Sequence, residues 1–218
     1  MTVDTETGEV LDGSGAELPA LMQISKAEID MQIATAKRYP RNVAKSCADA
    51  LAQATMSEDV AASMFYSLPR REAGTGERKF IQGESVRLAE VMASNWGNII
   101  QGARMVETAD KWVTAQGICW DLEKNNRSVI EVRRRITDRN GHRYNDDMIN
   151  VTAQAAMAIA KRNAILGVIP RAYFRPIYDE ARAVATGKGL SLEKQRENAL
   201  TWYQRVGASQ AQLLQLVG

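Results

Sequence analysis

The chain has 218 residues, 45% apolar and 25% charged, the balance of a soluble globular protein and not of a disordered one. Two distant cysteines, Cys47 and Cys119, and a single histidine, His142, exclude a zinc ribbon, an iron–sulfur site, a disulfide scaffold and a His-rich metal centre. The net charge of +2 divides into −6 over residues 1–30 and +8 over the rest; a basic body points to a polyanion partner, with a merely solvated surface as the alternative.

Residues 1–20 are polar, hold Gly8, Gly13, Gly15 and Pro19, and show no apolar period. Residues 1–22 are therefore expected to be a disordered acidic tail, with no basic or apolar stretch of a secretion signal in the first ten. Ser25 with Glu28 forms a capping box for a helix carrying Ile29, Ile33 and Ala36. Pro40 breaks that helix, and Val43, Cys47, Ala50, Leu51 and Ala54 mark the apolar face of a second. Ser57, followed by Glu58 and Asp59, caps a third helix holding Val60, Met64 and Phe65. Residues 68–78 read as an exposed loop, with Pro69, Gly74 and Gly76 among charges. A short extended piece from Lys79 leads to a helix from about Ser85, with Val86, Leu88, Ala89 and Met92 inward, that ends near Gly97.

The period then changes to two. Residues 98–108, 111–122 and 127–137 are expected as three strands of an antiparallel meander. In the second, Trp112, Ile118, Trp120 and Leu122 share the face assigned to the core. In the third, Ile130, Val132 and Ile136 point inward, while Glu131, Arg133 and Arg135 point away. Lys124 to Asn126 and the dipeptide Asn140-Gly141 are turns. From Met148 a long helix runs to Pro170, with Asp146-Asp147 as favourable charge at its N-terminus. Further helices follow at residues 172–186, 191–206 and from Ser209 onward. The last ends on the apolar run Leu213, Leu214, Leu216, Val217 and reads as a helical appendage, residues 188–218, that stops before its end. The fold class is thus α+β: a meander packed on a long helix, within a core of residues 23–187.

Two basic constellations carry the functional reading. Arg127, Arg133, Arg134, Arg135, Arg139 and Arg143 fall within 17 residues. Alternate strand residues lie ~7 Å apart, close to the phosphate spacing of an extended single strand. The alternative is a solvated face cross-paired to Asp110, Asp121 or Glu123. Lys161 and Arg162 interrupt the apolar helix AKRNAILGVIP, either snorkelling to solvent or lining a groove between helix and sheet, with Arg171 and Arg175 extending the positive surface. No Gly-rich phosphate loop and no nucleophile motif is present. Asp121 with Glu131 resembles the acid pair of Mg²⁺ nucleases, but the lysine such sites need is replaced by Arg133.

The order of elements and the run Ala160 to Pro170 resemble the phage single-strand annealing proteins of the RecT, Red-beta and Erf types. Gly83 to Gly97 is similar to the helix before their meander, Gln154-Ala155 to the lead-in of the Erf type, and Asn198 to Gly218 to the start of a helical C-terminal module in some of them. Asn163 stands where the Erf pattern has an aromatic, and Ala155 where it has glycine. The resemblance implies the annealing-protein core fold and ATP-independent binding and annealing of single-stranded DNA in phage recombination, with no cofactor and no catalysis. It further implies rings or filaments of many copies in the cytoplasm of the bacterial host, and a phage exonuclease or host single-strand-binding protein as further partners. It makes Lys79, Arg87, Arg133, Arg135, Lys161 and Arg162 the groove residues, to which the basic clusters add Arg139 and Arg171. A passive DNA-coating protein and a Mg²⁺ nuclease are the rival classes.

Overall fold

Alternating polarity, glycine-bearing turns and one long apolar helix set the architecture. A computed structural model of the chain describes residues 2–3, 10–11, 14–71, 78–187 and 200–201. It is an α+β protein with small antiparallel sheets and, among the described residues, six helices. No helix among these residues is long and apolar enough to cross a membrane. The chain divides into two units: Met1–Val43 with Trp96–Val168, and Ala44–Asn95 with Ile169–Gly218.

The first unit holds the meander. Strands β5 (Ile99–Thr108), β6 (Trp112–Asp121) and β7 (Asn126–Arg135) pair antiparallel in that order, with a bulge between Met105 and Glu107. These are the three strands expected from the period of two, and Asn125, at φ 51°, makes the expected turn between the last two. Helix α5 (Asp146–Val168) covers one sheet face. Its Ala156 and Ala160 pack with Val113 and Ala115 of β6 and with Ile136, against half-buried Val132 and Met105.

This packing reverses the face expected for β6. Its buried side is Val113, Ala115, Gly117, Cys119 and Asp121, while Trp112 is 41% exposed and Ile118 and Trp120 are half-buried on the other side. Only Leu122, beyond the strand, is buried as expected. The physical reason is the helix. A Cβ on Gly117 would fall on the Ala160 carbonyl and come within 2.6 Å of the Lys161 backbone nitrogen. An alanine-lined helix approaches the sheet so closely that only small residues fit beneath it.

Two short strands, β1 (Thr2–Val3) and β2 (Val10–Leu11), pair antiparallel, and helix α1 spans Ser14–Arg38. The helix therefore starts well before Ser25, inside the segment expected as a tail. Ala16, Glu17, Leu18, Ala20, Leu21 and Met22 are all strong helix formers; propensity extends the helix where no apolar period announced it.

In the second unit, α2 (Val43–Ala54) buries Ser46, Ala50 and Ala54, and α3 (Glu58–Ser63) is capped by Ser57, whose Oγ accepts the Val60 N–H at 3.2 Å. The third helix stops at Ser63, so Phe65 opens a strand instead of closing a helix. Strand β3 (Phe65–Arg71) pairs with β4 (Arg78–Glu84) where a loop was expected. Pro69 is tolerated there because a two-stranded ribbon leaves half of its N–H groups without a ladder role. Leu68, Phe80 and Ile81 on this ribbon are exposed. Ser85 joins ribbon to helix: its Oγ accepts the N–H groups of Arg87 and Leu88 and donates to the Ser63 carbonyl at 2.7 Å. Helix α4 (Val86–Trp96) then buries Leu88, Ala89 and Met92 as expected and ends at Gly97, φ 66°. Helix α6 (Arg171–Ala185) buries Phe174, Ile177, Tyr178 and Ala181, with Tyr178 edge-on to Phe65 at 6.4 Å, and ends at Gly187, φ 65°. The helices expected at 191–206 and from Ser209 lie outside the described residues, apart from the helical pair 200–201.

Candidate functional site

The alternation of β7 turns Arg127, Val129, Glu131, Arg133 and Arg135 to the sheet face away from α5, and all five are exposed. Their register partners on β6 are Trp120, Ile118, Gln116, Thr114 and Trp112. On β5 the same face holds Arg104, opposite Gln116, and Gly102, opposite Ile118. Among the described residues, acids do not consume most of these arginines. Arg133, its side chain 63% exposed, stands 3.8 Å from Glu107, a solvent-screened pair worth at most about 1 kcal/mol. Arg135 donates from Nε to Thr137 Oγ1 at 2.7 Å. Gln116 accepts from Arg104 and donates to Glu131 at 3.3 Å, so a polar chain crosses the middle of the face.

Of the acids expected opposite this strand, Asp110 lies 4.0 Å from Arg143 of the basic cluster, while Asp121 and Glu123 are engaged otherwise. Arg143 donates to the Ala109 and Asp110 carbonyls. Asp121 and Glu123 are taken by Arg41, which the sequence did not single out. The Arg41 fork donates to both Asp121 oxygens at 2.7 and 2.6 Å and from Nε to Glu123 at 2.9 Å, while its backbone N–H also reaches Glu123. Its guanidinium carbon lies 4.9 Å from the Trp96 ring centroid. The side chains of Arg41 and Asp121 are 4% and 3% exposed. Asp121 also accepts the N–H groups of Glu123 and Lys124. A buried charged pair persists only when its remaining hydrogen-bonding capacity is met, and here it is. The signal for it was an acid placed at the end of a run of small inward residues, where burial demands a cation. The carboxylates of Asp121 and Glu131 lie on opposite faces of the sheet, so this acid pair does not converge.

Burial alone would raise the Glu123 carboxyl, but hydrogen bonds from the Asn98 amide and from Arg41 outweigh it and hold the pKa below the ordinary glutamate value. A depressed carboxylate adds stability that is present above its unfolded pKa and is lost as pH falls through the folded one. Acid titration of the unfolding free energy is thus expected to decline below the ordinary glutamate range, and Glu123→Gln to flatten that decline. An unchanged acid limb in the variant contradicts the assignment. Burial, then the Asp121 charge, push the Cys119 thiol up to about 12, so Cys119 stays a neutral core residue.

The eight expected groove residues separate. Arg133 and Arg135 share the open sheet face, and Arg139 is exposed in the turn between Thr137 and Arg143. Lys161 and Arg162 are half-buried on α5, with Arg162 donating to Asn163 Oδ1 at 3.1 and 2.9 Å. The sheet therefore stands between these two and the β7 arginines. The groove expected between helix and sheet is closed instead by Ala156, Ala160 and Gly117. The remaining three belong to the second unit. Arg87 is exposed and bonds to Glu90 at 2.9 Å, Arg171 is exposed at the start of α6, and Lys79 stands opposite Arg70 in β4, its side chain outside the described residues. No group of three or more metal-ligating side chains occurs among the described residues. No family model, curated protein or solved structure matches the chain.

Proposed function

We propose that this chain binds single-stranded DNA without ATP and anneals complementary strands, in the manner of the phage annealing proteins it resembles, within the bacterial host cytoplasm. The observation that carries the reading is the row Arg127, Arg133 and Arg135 on an exposed sheet face, with Arg133 and Arg135 at the ~7 Å step of an extended strand. Guanidiniums there grip phosphates without reading sequence, and base pairing supplies the free energy of annealing. The protein neutralises the repulsion between two strands. A meander packed on one long helix after a helical N-terminal region also supports the annealing-protein core fold. Assembly into rings or filaments is supported by the outer edges of β5 and β7, which no strand among the described residues pairs, and by Leu68, Phe80 and Ile81, exposed on the β3–β4 ribbon.

The test mixes two complementary oligonucleotides with the protein and no nucleotide, across a salt series. Three phosphate contacts set a log–log salt slope of about −2, at about −0.7 per contact. Arg133→Gln with Arg135→Gln is expected to flatten the slope by about 1.4 and slow annealing, while the fold is kept. A flat salt response of the parent removes the reading, and binding without faster annealing replaces it with passive coating.

A further inference from the structure

The packing of α5 leaves two tryptophans on the open side of the sheet, each beside an arginine: Trp120 opposite Arg127, and Trp112 opposite Arg135. We infer that this face is a base-stacking platform for single-stranded nucleic acid, with bases on Trp112 and Trp120 and phosphates on Arg127, Arg133 and Arg135. The inference rests on the single-strand reading above and adds which part of the ligand lies against which strand.

Four observations converge. Trp112, 41% exposed, and Val129, 44% exposed, share this face with half-buried Ile118 and Trp120, and an apolar patch rimmed by arginines marks an interaction surface. Trp120 is half-buried, and its indole N–H donates to Asn125 Oδ1 at 3.1 Å, so the ring is held in place ahead of any ligand. Gly102 lies across from Ile118 on the same face with nothing within 4 Å of a Cβ built there. A glycine inside a strand with open space above it suits the close approach of a ligand. Finally, the charge is complementary to a polyanion: Arg104, Arg127, Arg133 and Arg135 face Glu107 and Glu131. Both acids are already engaged, Glu107 by Thr114 at 3.1 Å and Glu131 by Gln116.

The eight-residue step from Trp112 to Trp120 spans about 26 Å along β6, enough for a site of about four nucleotides, the lower end of single-strand sites. A strand laid along the meander has its backbone over β7 and its bases over β6. Only unpaired bases offer their flat faces to the indoles, because a duplex stacks them on each other. A base lying flat on an indole keeps its pairing edge open to a second strand, which is the geometry annealing needs.

Two probes of equal length separate bases from phosphates: oligo-dT, and an abasic deoxyribose-phosphate strand, both read by fluorescence anisotropy at one salt concentration with the full chain. The parent is expected to bind oligo-dT about 10-fold tighter than the abasic strand. Trp112→Ala, at an exposed position, is expected to lose a large part of that preference with an unchanged urea midpoint. Trp120→Phe is expected to keep it, and Trp120→Leu, which retains apolar bulk without the ring, to lose it. Equal binding of the two strands by the parent overturns the platform and leaves the single-strand reading standing. A full preference surviving in Trp112→Ala with Trp120→Leu places the bases elsewhere and also overturns it. Binding of neither strand overturns both.

Discussion

Arg41→Ala is expected to lower the unfolding free energy by about 3–5 kcal/mol, because it leaves the Asp121 carboxylate buried without its cation. Against a total stability of about 5–15 kcal/mol, urea denaturation will register this as a large fall in midpoint. The loss has three parts: the bidentate fork on Asp121, the bonds to Glu123, and the stack on Trp96. Arg41→Lys keeps the charge but not the planar fork, and is expected to recover only a part of the loss. Adding Asp121→Asn to Arg41→Met removes the buried charge while Asn Oδ1 still accepts the Glu123 and Lys124 N–H groups; this double variant is expected to be more stable than Arg41→Ala alone. A loss below about 1 kcal/mol for Arg41→Ala would reduce the cluster to an ordinary surface pair.

Gly117→Ala is expected to destabilise by about 3 kcal/mol or more, although alanine is the mildest of substitutions. The added methyl meets the helix backbone at Ala160, and backbone cannot rotate away as a side-chain tip can. Either α5 shifts as a body or the sheet bends, and each loosens the Val113, Ala115 and Ile136 packing. Gly102→Ala on the neighbouring strand is the control. Its Cβ meets nothing within 4 Å, so its cost is expected to stay within about 0.5 kcal/mol. Thermal denaturation of the two variants side by side checks the contrast, and equal costs would show that the close approach of helix and sheet is not what holds Gly117.

The meander was legible because three signals agreed: a period of two, turn residues at Lys124–Asn126, and a turn dipeptide at Asn140-Gly141, where Gly141 has φ 90°. The exposure of Arg133 and Arg135 followed from the same alternation. The face of β6 was not legible, because side-chain bulk alone points its tryptophans inward. Here the partner decides: a helix lined by Ala156, Ala160 and Ala164 accepts Ala115 and Gly117 beneath it and leaves Trp112 outside. The β3–β4 ribbon was hidden by Pro69 and by its charges, which in isolation describe a loop equally well. The Arg41–Asp121 pair joins residues 80 apart in sequence, and no periodicity reaches that far. Placing Lys161 and Arg162 in a shared groove with the β7 arginines failed for a related reason. Sequence gives the cations and the strands but not how closely the helix shuts down on the sheet at Ala160 and Gly117.

The stack of Arg41 on Trp96 has a further consequence for how the chain is divided. The backbone leaves the first unit after Val43 and returns to it at Trp96, and these two side chains lie beside those exit and return points. Where an insertion departs and comes back through adjacent points, the host needs only a short bridge in its place. The stretch Ala44–Asn95 has that connectivity, but it folds as one unit with Ile169–Gly218, where Phe65 meets Tyr178 edge-on. Exchange of the ribbon-bearing segment between related chains therefore has to carry the stretch from Ile169 onward with it, while the Arg41 cluster stays whole within the first unit.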